Sequence, residues 1–314
     1  MRKIKYLVII ISLLTIFVPH PASAESENEK LLSETFSGKT AILNELFNAN
    51  NEVLINMYGF TDFDFIPALV NLEKQGVEIK MILEEAPYQA ETENFDIRSM
   101  LKNYGIKVRW ARSEFFLDHA KYIVIDNTKA IVLTGNFTYS SFTKNREFGL
   151  ITTDKDKVAT LRNLFYADFN RTEFSNDNDN VLISPIDSRI KIENALLSAT
   201  KSIKIWEQTV EAPEIVNILK EQKAKGVEVK VLMPASYASD LAKSLGDSVL
   251  ALPNPYIHAK TFIIDDKFAY IGSNNFTAPS LDNEREAALF TSNKSIIEEL
   301  NMIWQWDLSH SNVP

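Results

Sequence analysis

The chain has 314 residues, of which 45% are hydrophobic and 24% are charged, and its formal net charge is −9 at pH 7. This composition is that of a globular protein and argues against extensive disorder, while the negative charge argues against a nonspecific polyanion binder, which depends on Lys and Arg. The chain has no cysteine, so disulfides, thiolate nucleophiles and thiolate metal ligands are excluded.

The first 24 residues have the pattern of a cleavable signal peptide. Three basic residues lie within the first five, and residues 7–18 are all apolar, Ser or Thr. That run is shorter than the roughly 20 residues that span a bilayer, and the small residues ending at Ala24 suit signal peptidase. We therefore expect a secreted protein cleaved after Ala24, with a mature charge of about −12.

Two stretches of the chain repeat one strand–helix–strand pattern at an offset of 150 residues. The matched ranges are 52–58 and 202–208 for the first strands, and 66–75 and 214–224 for the helices. Gly76 and Gly226 follow the two helices, in the place where glycine commonly ends a helix in the left-handed conformation. A second strand follows each glycine, so each unit predicts a parallel strand pair with a right-handed crossover.

The repeats divide the chain into two halves. Residues 170–180 are polar and without pattern, as expected of a boundary. We predict a signal peptide over residues 1–24, an N-terminal linker over 25–33, a first repeat over 34–176 and a second repeat over 177–314.

A second set of residues repeats at an offset of 139. The first copy consists of His119, Lys121, Asp126, Thr134, Asn136 and Glu147, and the second of His258, Lys260, Asp265, Ser273, Asn275 and Glu286. Residues i and i+2 of a strand share a face, so each histidine lies beside its lysine. With the hydroxyl of Thr134 or Ser273 and the carboxamide of Asn136 or Asn275, this predicts a pocket for a phosphate oxyanion.

The two aspartates of this set are expected to have another role. Asp126 and Asp265 each follow their histidine by seven residues, which places them on the opposite face of the strand. They complete the motif, and we expect them to support the fold around the catalytic residues without touching phosphate.

The paired motif resembles the phospholipase D superfamily, whose signature is HxKxxxxD followed by GSxN. The second copy matches throughout, whereas the first has Leu133 in place of glycine and Thr134 in place of serine. The resemblance covers nearly the whole mature chain. It implies an α/β fold with two pseudo-symmetric phospholipase D-like halves, each a mixed β-sheet flanked by helices, and an active site at their interface.

The resemblance also implies roles for the histidines and glutamates. In this family the histidine of the first copy is usually the nucleophile, which implies His119 as nucleophile and His258 as general acid and then base, whereas the residues by themselves do not distinguish the two. Glu147 and Glu286 are the candidates that orient the histidines, by pairing across the halves. No metal and no other cofactor is expected, and one chain supplies both copies, so a monomer is expected.

The substrate is less well defined than the reaction. We expect a secreted phosphodiesterase, foremost a phospholipase D that hydrolyses phospholipids to phosphatidate and a free head-group alcohol. A phosphatidyltransferase, a metal-independent endonuclease and an inactive binding module are the alternatives. The first half also has 11 additional residues before its histidine, in or near residues 84–98, which form either a substrate-selecting lid or an inert insertion.

Overall fold

The computed structural model describes residues 28–34 and 38–314, apart from Gln89 and Glu91. The expected signal peptide lies outside the described residues, so secretion stays a prediction. Across the described ranges, none of the helices combines the length and the apolar character needed to cross a bilayer.

The first half consists of one sheet with helices on its faces. Its strands are β1 (Glu29–Glu34), β2 (Glu52–Met57), β3 (Glu78–Leu83), β4 (Lys107–Trp110), β5 (Lys121–Ile125), β6 (Lys129–Leu133) and β7 (Asn145–Thr152). Its helices are α1 (Gly38–Phe47), α2 (Phe65–Lys74), α3 (Glu93–Asn103), α4 (Tyr139–Thr143) and α5 (Lys155–Asn170).

The second half repeats this arrangement after an irregular segment, residues 171–180. Its strands are β8 (Val181–Ser184), β9 (Ser202–Glu207), β10 (Glu228–Pro234), β11 (Val249–Leu252), β12 (Tyr256–Ile257), β13 (Lys260–Ile264), β14 (Phe268–Gly272) and β15 (Glu286–Thr291). Its helices are α6 (Ser188–Leu197), α7 (Pro213–Ala224), α8 (Ala235–Leu245), α9 (Ala278–Asp282) and α10 (Lys294–Ser309), with a short 3₁₀ helix at Gly246–Ser248.

The two sheets have the same topology. The strand order is β1-β7-β6-β5-β2-β3-β4 in the first and β8-β15-β14-β13-β9-β10-β11 in the second. Strands β2, β3 and β4 run parallel and the remaining neighbours run antiparallel, so the sheet is mixed, as expected. Gly76 and Gly226 both have φ of 90° at the ends of α2 and α7, the left-handed conformation expected at these helix ends.

The N-terminal boundary of the first half differs from the prediction. We expected residues 25–33 to be a linker, but Glu29–Ser33 belong to strand β1, which pairs antiparallel with β7 along its length. Leu31 and Leu32 are buried there. The strand supplies partners to the backbone groups of β7, and β8 has the same position beside β15.

The two halves share a central core. One hydrophobic cluster joins residues of both sheets to α5 and α10, and it includes Phe165 and Trp304 from these helices. Two further clusters lie on the outer faces, one under α1, α2 and α3 and the other under α6, α7 and α8. Because the central cluster contains side chains from both halves, each half completes its core against the other, and strands β5 and β13 both contribute to this junction.

Candidate active site

The main chain of each motif histidine is bound to the other half. His119 lies just before β5, and its backbone N–H donates to the carbonyl oxygen of Arg285 at 2.8 Å. His258 lies just before β13, and its N–H donates to the carbonyl oxygen of Arg146 at 3.3 Å. Short strand β12 pairs parallel with the start of β7, and Asp118 forms the corresponding bridge to Arg285. The fold therefore positions both histidines at the junction of the halves.

Each histidine also contacts the glutamate of the other half. The Nδ1 atom of His119 lies 3.0 Å from Oε1 of Glu286, and Nδ1 of His258 lies 2.6 Å from Oε1 of Glu147. Both glutamates are fully buried, and the histidine side chains are 10% and 16% exposed. With Nδ1 engaged, Nε2 is the ring nitrogen left for a substrate in both cases. The expected pairing across the halves is present.

The two motif lysines are completely buried beside the histidines. Lys121 donates to the carbonyl oxygen of His119, and Lys260 donates to that of His258. The ring of Tyr58 lines the first copy: its centroid lies 4.6 Å from that of His119 and 5.0 Å from Nζ of Lys121. Two cationic side chains held in a water-poor cleft are suited to stabilising a phosphate oxyanion.

The hydroxyl groups of Thr134 and Ser273 have protein partners, which differs from their expected role in phosphate binding. Oγ1 of Thr134 donates to Oε2 of Glu147 at 2.6 Å and accepts the N–H of Phe148 at 2.9 Å. Ser273 is bonded to both backbone groups of Ala287, and Thr134 and Ser273 are both fully buried. Because these hydroxyls fasten the strands that carry the glutamates, we assign them a positioning role.

Asn136 and Asn275 lie at the same corners as Thr134 and Ser273, but they are only partly buried. The side chain of Asn136 packs over Gly59, where a Cβ would lie 3.4 Å from its Cγ. Their carboxamides therefore remain the candidates of this set for donating to phosphate.

Asp126 and Asp265 bind backbone, as expected from their place on the strand. The carboxylate of Asp126 accepts the N–H groups of Asn50, Asn51 and Glu52 at 2.7 to 2.9 Å. Asp265 accepts the N–H groups of residues 200–202 in the same way. Although burial opposes ionisation, these donors hold the pKa of both carboxyls below the ordinary value. Both residues therefore brace the end of a catalytic strand.

Burial and the local charges make the two histidines different. Burial, with the added charge of Lys121, lowers the pKa of His119 well below its ordinary value. Burial also lowers the pKa of His258, but there the charge of Glu147 opposes the shift. Burial raises the pKa of Glu286 well above its usual range, whereas at Glu147 burial is outweighed by His258, Lys260 and Thr134 together, so the pKa of Glu147 is lowered. Burial lowers the pKa of Lys121 to about 7.

Three further acidic side chains at the site were missed in the sequence. Glu207 is fully buried opposite Lys260, Glu284 is buried near His119, and Asp118 is buried next to His119. Their positions in the other half are held by residues without an acid group, which are Met57, Asn145 and Ile257. Comparing the repeats position by position, and searching for charged residues that lack a counterpart, would have found all three.

The additional segment of the first half, in or near residues 84–98, contacts the residues around His119. The carboxylate of Glu84, which is buried, accepts the N–H of Asp118 at 2.7 Å. Asn94, also buried, donates to the carbonyl of Tyr58 at 2.7 Å and accepts the N–H of Phe60 at 2.9 Å. These contacts argue against an inert insertion. They show that the segment holds Tyr58 and Asp118, the residue before His119, in place.

One group of side chains in the described part of the chain has the composition of a cation site. Atoms of His119, Glu284 and Glu286 lie within 4.8 Å of one another. The ammonium group of Lys121 is attracted to the same two carboxyl groups. Because the amino group of Lys121 already lies against both carboxyl groups and can carry the balancing charge, we assign no metal to this cluster.

The family model described as "Cardiolipin synthase, PLD-like domain" matches residues 42–169 and 192–308. Cardiolipin synthase 1 of Staphylococcus epidermidis is 28% identical over 131 residues, which are 38% of this chain and 26% of that protein. Cardiolipin synthase A of Wigglesworthia glossinidia brevipalpis is 22% identical over a 348-residue alignment that covers 92% of this chain and 70% of that protein. The matched part thus spans about a quarter of the first relative and over two thirds of the second.

Among solved structures, phosphatidylserine synthase of Haemophilus influenzae superposes with a TM-score of 0.75 at 13% identity. The superposition covers 92% of this chain and 88% of that protein, and at this identity it shows the shared fold. The family model matches more than half of the chain, in both halves and over both copies of the motif. The chain belongs to the phospholipase D superfamily.

Proposed function

We propose that this protein is a phospholipid-directed enzyme that transfers a phosphatidyl group to an alcohol through a phosphohistidine. The observation that carries the proposal is the pair of cross-half contacts, His119 with Glu286 and His258 with Glu147, beside two buried lysines. Two histidines with opposite tasks suit a two-step displacement at phosphorus. A structural role alone would not require two buried His–Lys pairs at one junction.

In the first step, the lone pair on Nε2 of His119 attacks phosphorus and forms the N–P bond. The bond from phosphorus to the leaving alcohol breaks, and that oxygen takes the proton from Nε2 of His258. Lys121, Lys260 and the carboxamides of the two asparagines stabilise the charge on the phosphoryl oxygens. The products are the free alcohol and phosphohistidine at position 119.

In the second step, the hydroxyl oxygen of an acceptor attacks phosphorus. His258, now without its proton, takes the hydroxyl proton, and the N–P bond breaks so that its electron pair returns to His119. With an alcohol as acceptor the result is phosphatidyl transfer, and with water it is hydrolysis. The protein ends the cycle in its starting protonation state.

The electrostatics support this assignment of the two histidines. A nucleophile must be unprotonated, and the pKa of His119, which burial lowers, keeps it so near neutral pH. A general acid must hold a proton, and although burial lowers the pKa of His258 as well, the charge of Glu147 opposes that shift, so His258 is the more readily protonated of the two histidines. His119 therefore suits the role of nucleophile and His258 that of acid and base, the roles that the family resemblance implies.

The choice of transfer over hydrolysis rests on the relatives. The matching family model and the long alignment both carry the name cardiolipin synthase, and the fold neighbour is a phosphatidylserine synthase. Both names describe enzymes that form a phospholipid. We therefore place phosphatidyl transfer before the phospholipase D hydrolysis that the sequence first suggested, and keep hydrolysis and nucleic acid cleavage as outcomes of the test.

The test is a product analysis with phosphatidylglycerol vesicles and, in parallel, with single- and double-stranded DNA. Transfer of a phosphatidyl group to a second phosphatidylglycerol yields cardiolipin and free glycerol, whereas hydrolysis yields phosphatidate and free glycerol. We expect cardiolipin by mass spectrometry. Phosphatidate alone would replace transfer by hydrolysis, and DNA cleavage without lipid turnover would overturn the lipid assignment.

The matched control is a pair of variants, His119→Ala and His258→Ala. Each should lower lipid turnover by at least about 10³-fold, because each removes a group that acts in both steps. Circular dichroism should show an unchanged fold. Substantial turnover in either variant would contradict the two-histidine mechanism.

A further inference from the structure

The two halves differ in one residue beside each orienting glutamate. Asn145 lies two residues before Glu147 at the start of β7, and Glu284 lies two residues before Glu286 at the start of β15. Both positions are related by the same offset of 139 residues that relates the histidines. The mechanism above uses neither side chain, so their difference requires a separate explanation.

Asn145 stabilises a negative charge on Glu147. Its Nδ2 donates to Oε1 of Glu147 at 3.2 Å, and the same oxygen contacts Nδ1 of His258. Oε2 of that glutamate accepts from Thr134. Hydrogen bonds donated to the charged form of a carboxyl favour that form. Glu147 therefore faces His258 as a carboxylate.

Glu284 acts in the opposite direction on Glu286. Its carboxyl group lies within 4.8 Å of both Glu286 and His119, and two carboxyls so close in a buried site do not both ionise readily. Burial raises the pKa of Glu284 to about 7. The charged or titratable groups around it are Lys121, Glu286, His119, Glu84 and Tyr58. Near neutral pH the two carboxyls therefore share one proton.

The position of that proton determines which nitrogen of His119 carries a hydrogen. Oε1 of Glu286 already accepts the hydroxyl hydrogen of Ser280, and the same atom contacts Nδ1 of His119. Oε2 of Glu286 is buried and has no hydrogen-bond partner among the described residues, so we place the shared proton on Oε2. Nδ1 of His119 then carries a hydrogen that it donates to Glu286, and Nε2 keeps its lone pair.

We propose that Asn145 and Glu284 are the positioning residues that give the two histidines their separate roles, His119 as nucleophile and His258 as proton donor. The full negative charge of Glu147 opposes the loss of the proton from His258, whereas the carboxyl pair of Glu286 and Glu284 has less charge to offer His119. An otherwise symmetric site is thereby made directional. The inference rests on the proposed phosphohistidine mechanism and adds what decides the site of phosphorylation.

The experiment exchanges the two residues and locates the phosphohistidine. The variants are Glu284→Asn, Asn145→Glu and the double exchange, and the probe is bis(4-nitrophenyl) phosphate. After brief reaction and alkaline denaturation, mass spectrometry identifies which histidine carries the phosphoryl group. We expect the label on His119 in the original protein and on His258 in the double exchange.

The pH profile supplies a second readout that a purely structural role would not move. Glu284→Asn removes a carboxyl group that opposes the ionisation of Glu286, which makes His119 more basic, so the acidic limb of kcat/KM should move to higher pH by about one unit. Glu284→Gln keeps the shape of the side chain and should give the same shift, which covers the case in which Glu284→Asn does not fold.

Two results would count against different parts of the argument. A label that stays on His119 in the double exchange, or an acidic limb unmoved in Glu284→Gln, overturns the role of Asn145 and Glu284. The absence of phosphohistidine in the original protein, on either histidine, overturns the proposed function itself. The two failures are therefore distinguishable.

Discussion

Arg285 forms an ion pair with Asp168 across the two halves. Its Nη2 donates to Oδ1 of Asp168 at 3.1 Å, and its Nε lies 3.0 Å from Oδ2. Asp168 lies near the end of α5, and Arg285 directly precedes Glu286. Arg146 and Asp307 form the equivalent pair, with distances of 3.0 and 2.6 Å. Each half therefore anchors the strand of its orienting glutamate to the last helix of the other half.

Replacing Arg285 by methionine should destabilise the protein by about 3 to 5 kcal/mol, because it leaves the buried carboxylate of Asp168 without its main partner. Urea unfolding measures the change. Arg285→Met combined with Asp168→Leu should recover much of the loss, since neither member of the pair is then left as a buried charge without its partner. The control is Lys243→Met, which breaks an exposed pair with Asp240 and should leave the midpoint unchanged. A stable Arg285→Met variant would refute the anchoring role.

Much of the fold was predictable because the chain contains the pattern twice. The strands around residues 52–58 and 202–208 and the helices after them lie within two residues of the predicted bounds. A hydrophobic pattern that occurs once can fit a helix or a strand, but the same pattern repeated at a constant offset supports one assignment in both copies. Strand β1 was missed because it is short, and because its identity as a strand depends on pairing with β7, far along the chain.

The site was predictable only where the halves agree. The cross-half contacts of Glu147 and Glu286 follow from motif symmetry, because equivalent residues meet around a twofold axis. The hydroxyl of Thr134 was misassigned because spacing along a strand does not tell whether a side chain faces the cleft or the neighbouring strand. Glu207 and Glu284 were missed because a search for repeats discards the positions at which the repeats differ.

Asp118 predicts a pH dependence of stability. Burial, with the nearby charge of Asp168, raises the pKa of this carboxyl from 3.8 to about 7. The folded protein thus holds a proton that the unfolded chain loses above pH 4, so its contribution is complete below pH 4 and is lost as pH rises through 7. Asp118→Asn, which resembles the neutral form, should therefore gain stability relative to the original protein between pH 4 and 8.

The measurement for Asp118→Asn is urea unfolding at pH 4, 6 and 8. At most about 1.4 kcal/mol of difference should accumulate per pH unit between the two pKa values. Equal slopes of stability against pH in the two proteins would show that Asp118 is ionised in the fold. Asp240→Asn is the control, because this exposed carboxyl should leave the slope nearly unchanged.

Asp126 should prove structural and Lys121 functional. Asp126→Asn keeps the shape and tolerates the left-handed backbone, φ 53°, but it has one acceptor oxygen fewer for three N–H donors. The loss should be about 1 to 3 kcal/mol of stability, with kcat/KM within about threefold in the folded protein. Lys121→Met should lose at least about 100-fold in kcat/KM. A collapse of activity in folded Asp126→Asn would place that carboxyl in the reaction.

The stability of Asp126→Asn should have a pH dependence of opposite sign to that of Asp118→Asn. Backbone donors lower the pKa of Asp126 in the fold, so its contribution is present above the unfolded pKa and is lost as pH falls through the folded one. The stability difference between the original protein and Asp126→Asn should therefore shrink on acidification below pH 4. A difference that stays constant would mean that the charge of Asp126 does not matter.

The departure from the family signature at Leu133 predicts a rescue experiment. In the second half the signature glycine, Gly272, lies opposite Ala288, and a Cβ on this glycine would come within 2.1 Å of the alanine Cβ. In the first half Leu133 lies opposite Gly149, where a Cβ would come within 2.6 Å of Leu133 Cδ2. In the first half the glycine is therefore on the partner strand, at Gly149 of β7, and strands β6 and β7 can still approach closely.

Gly149→Ala alone should therefore clash with Leu133 and destabilise the protein by about 1 to 3 kcal/mol. Leu133→Gly alone should leave a cavity and cost about 2 to 5 kcal/mol, because this leucine is buried in the core of the first half. The double variant has the glycine–alanine pair of the second half, so the clash is removed and the combined loss should be smaller than the sum of the two single losses. Urea unfolding of all four proteins gives the coupling energy. Additive losses would show that the two positions are independent, and that the first half tolerates leucine at its signature glycine for another reason.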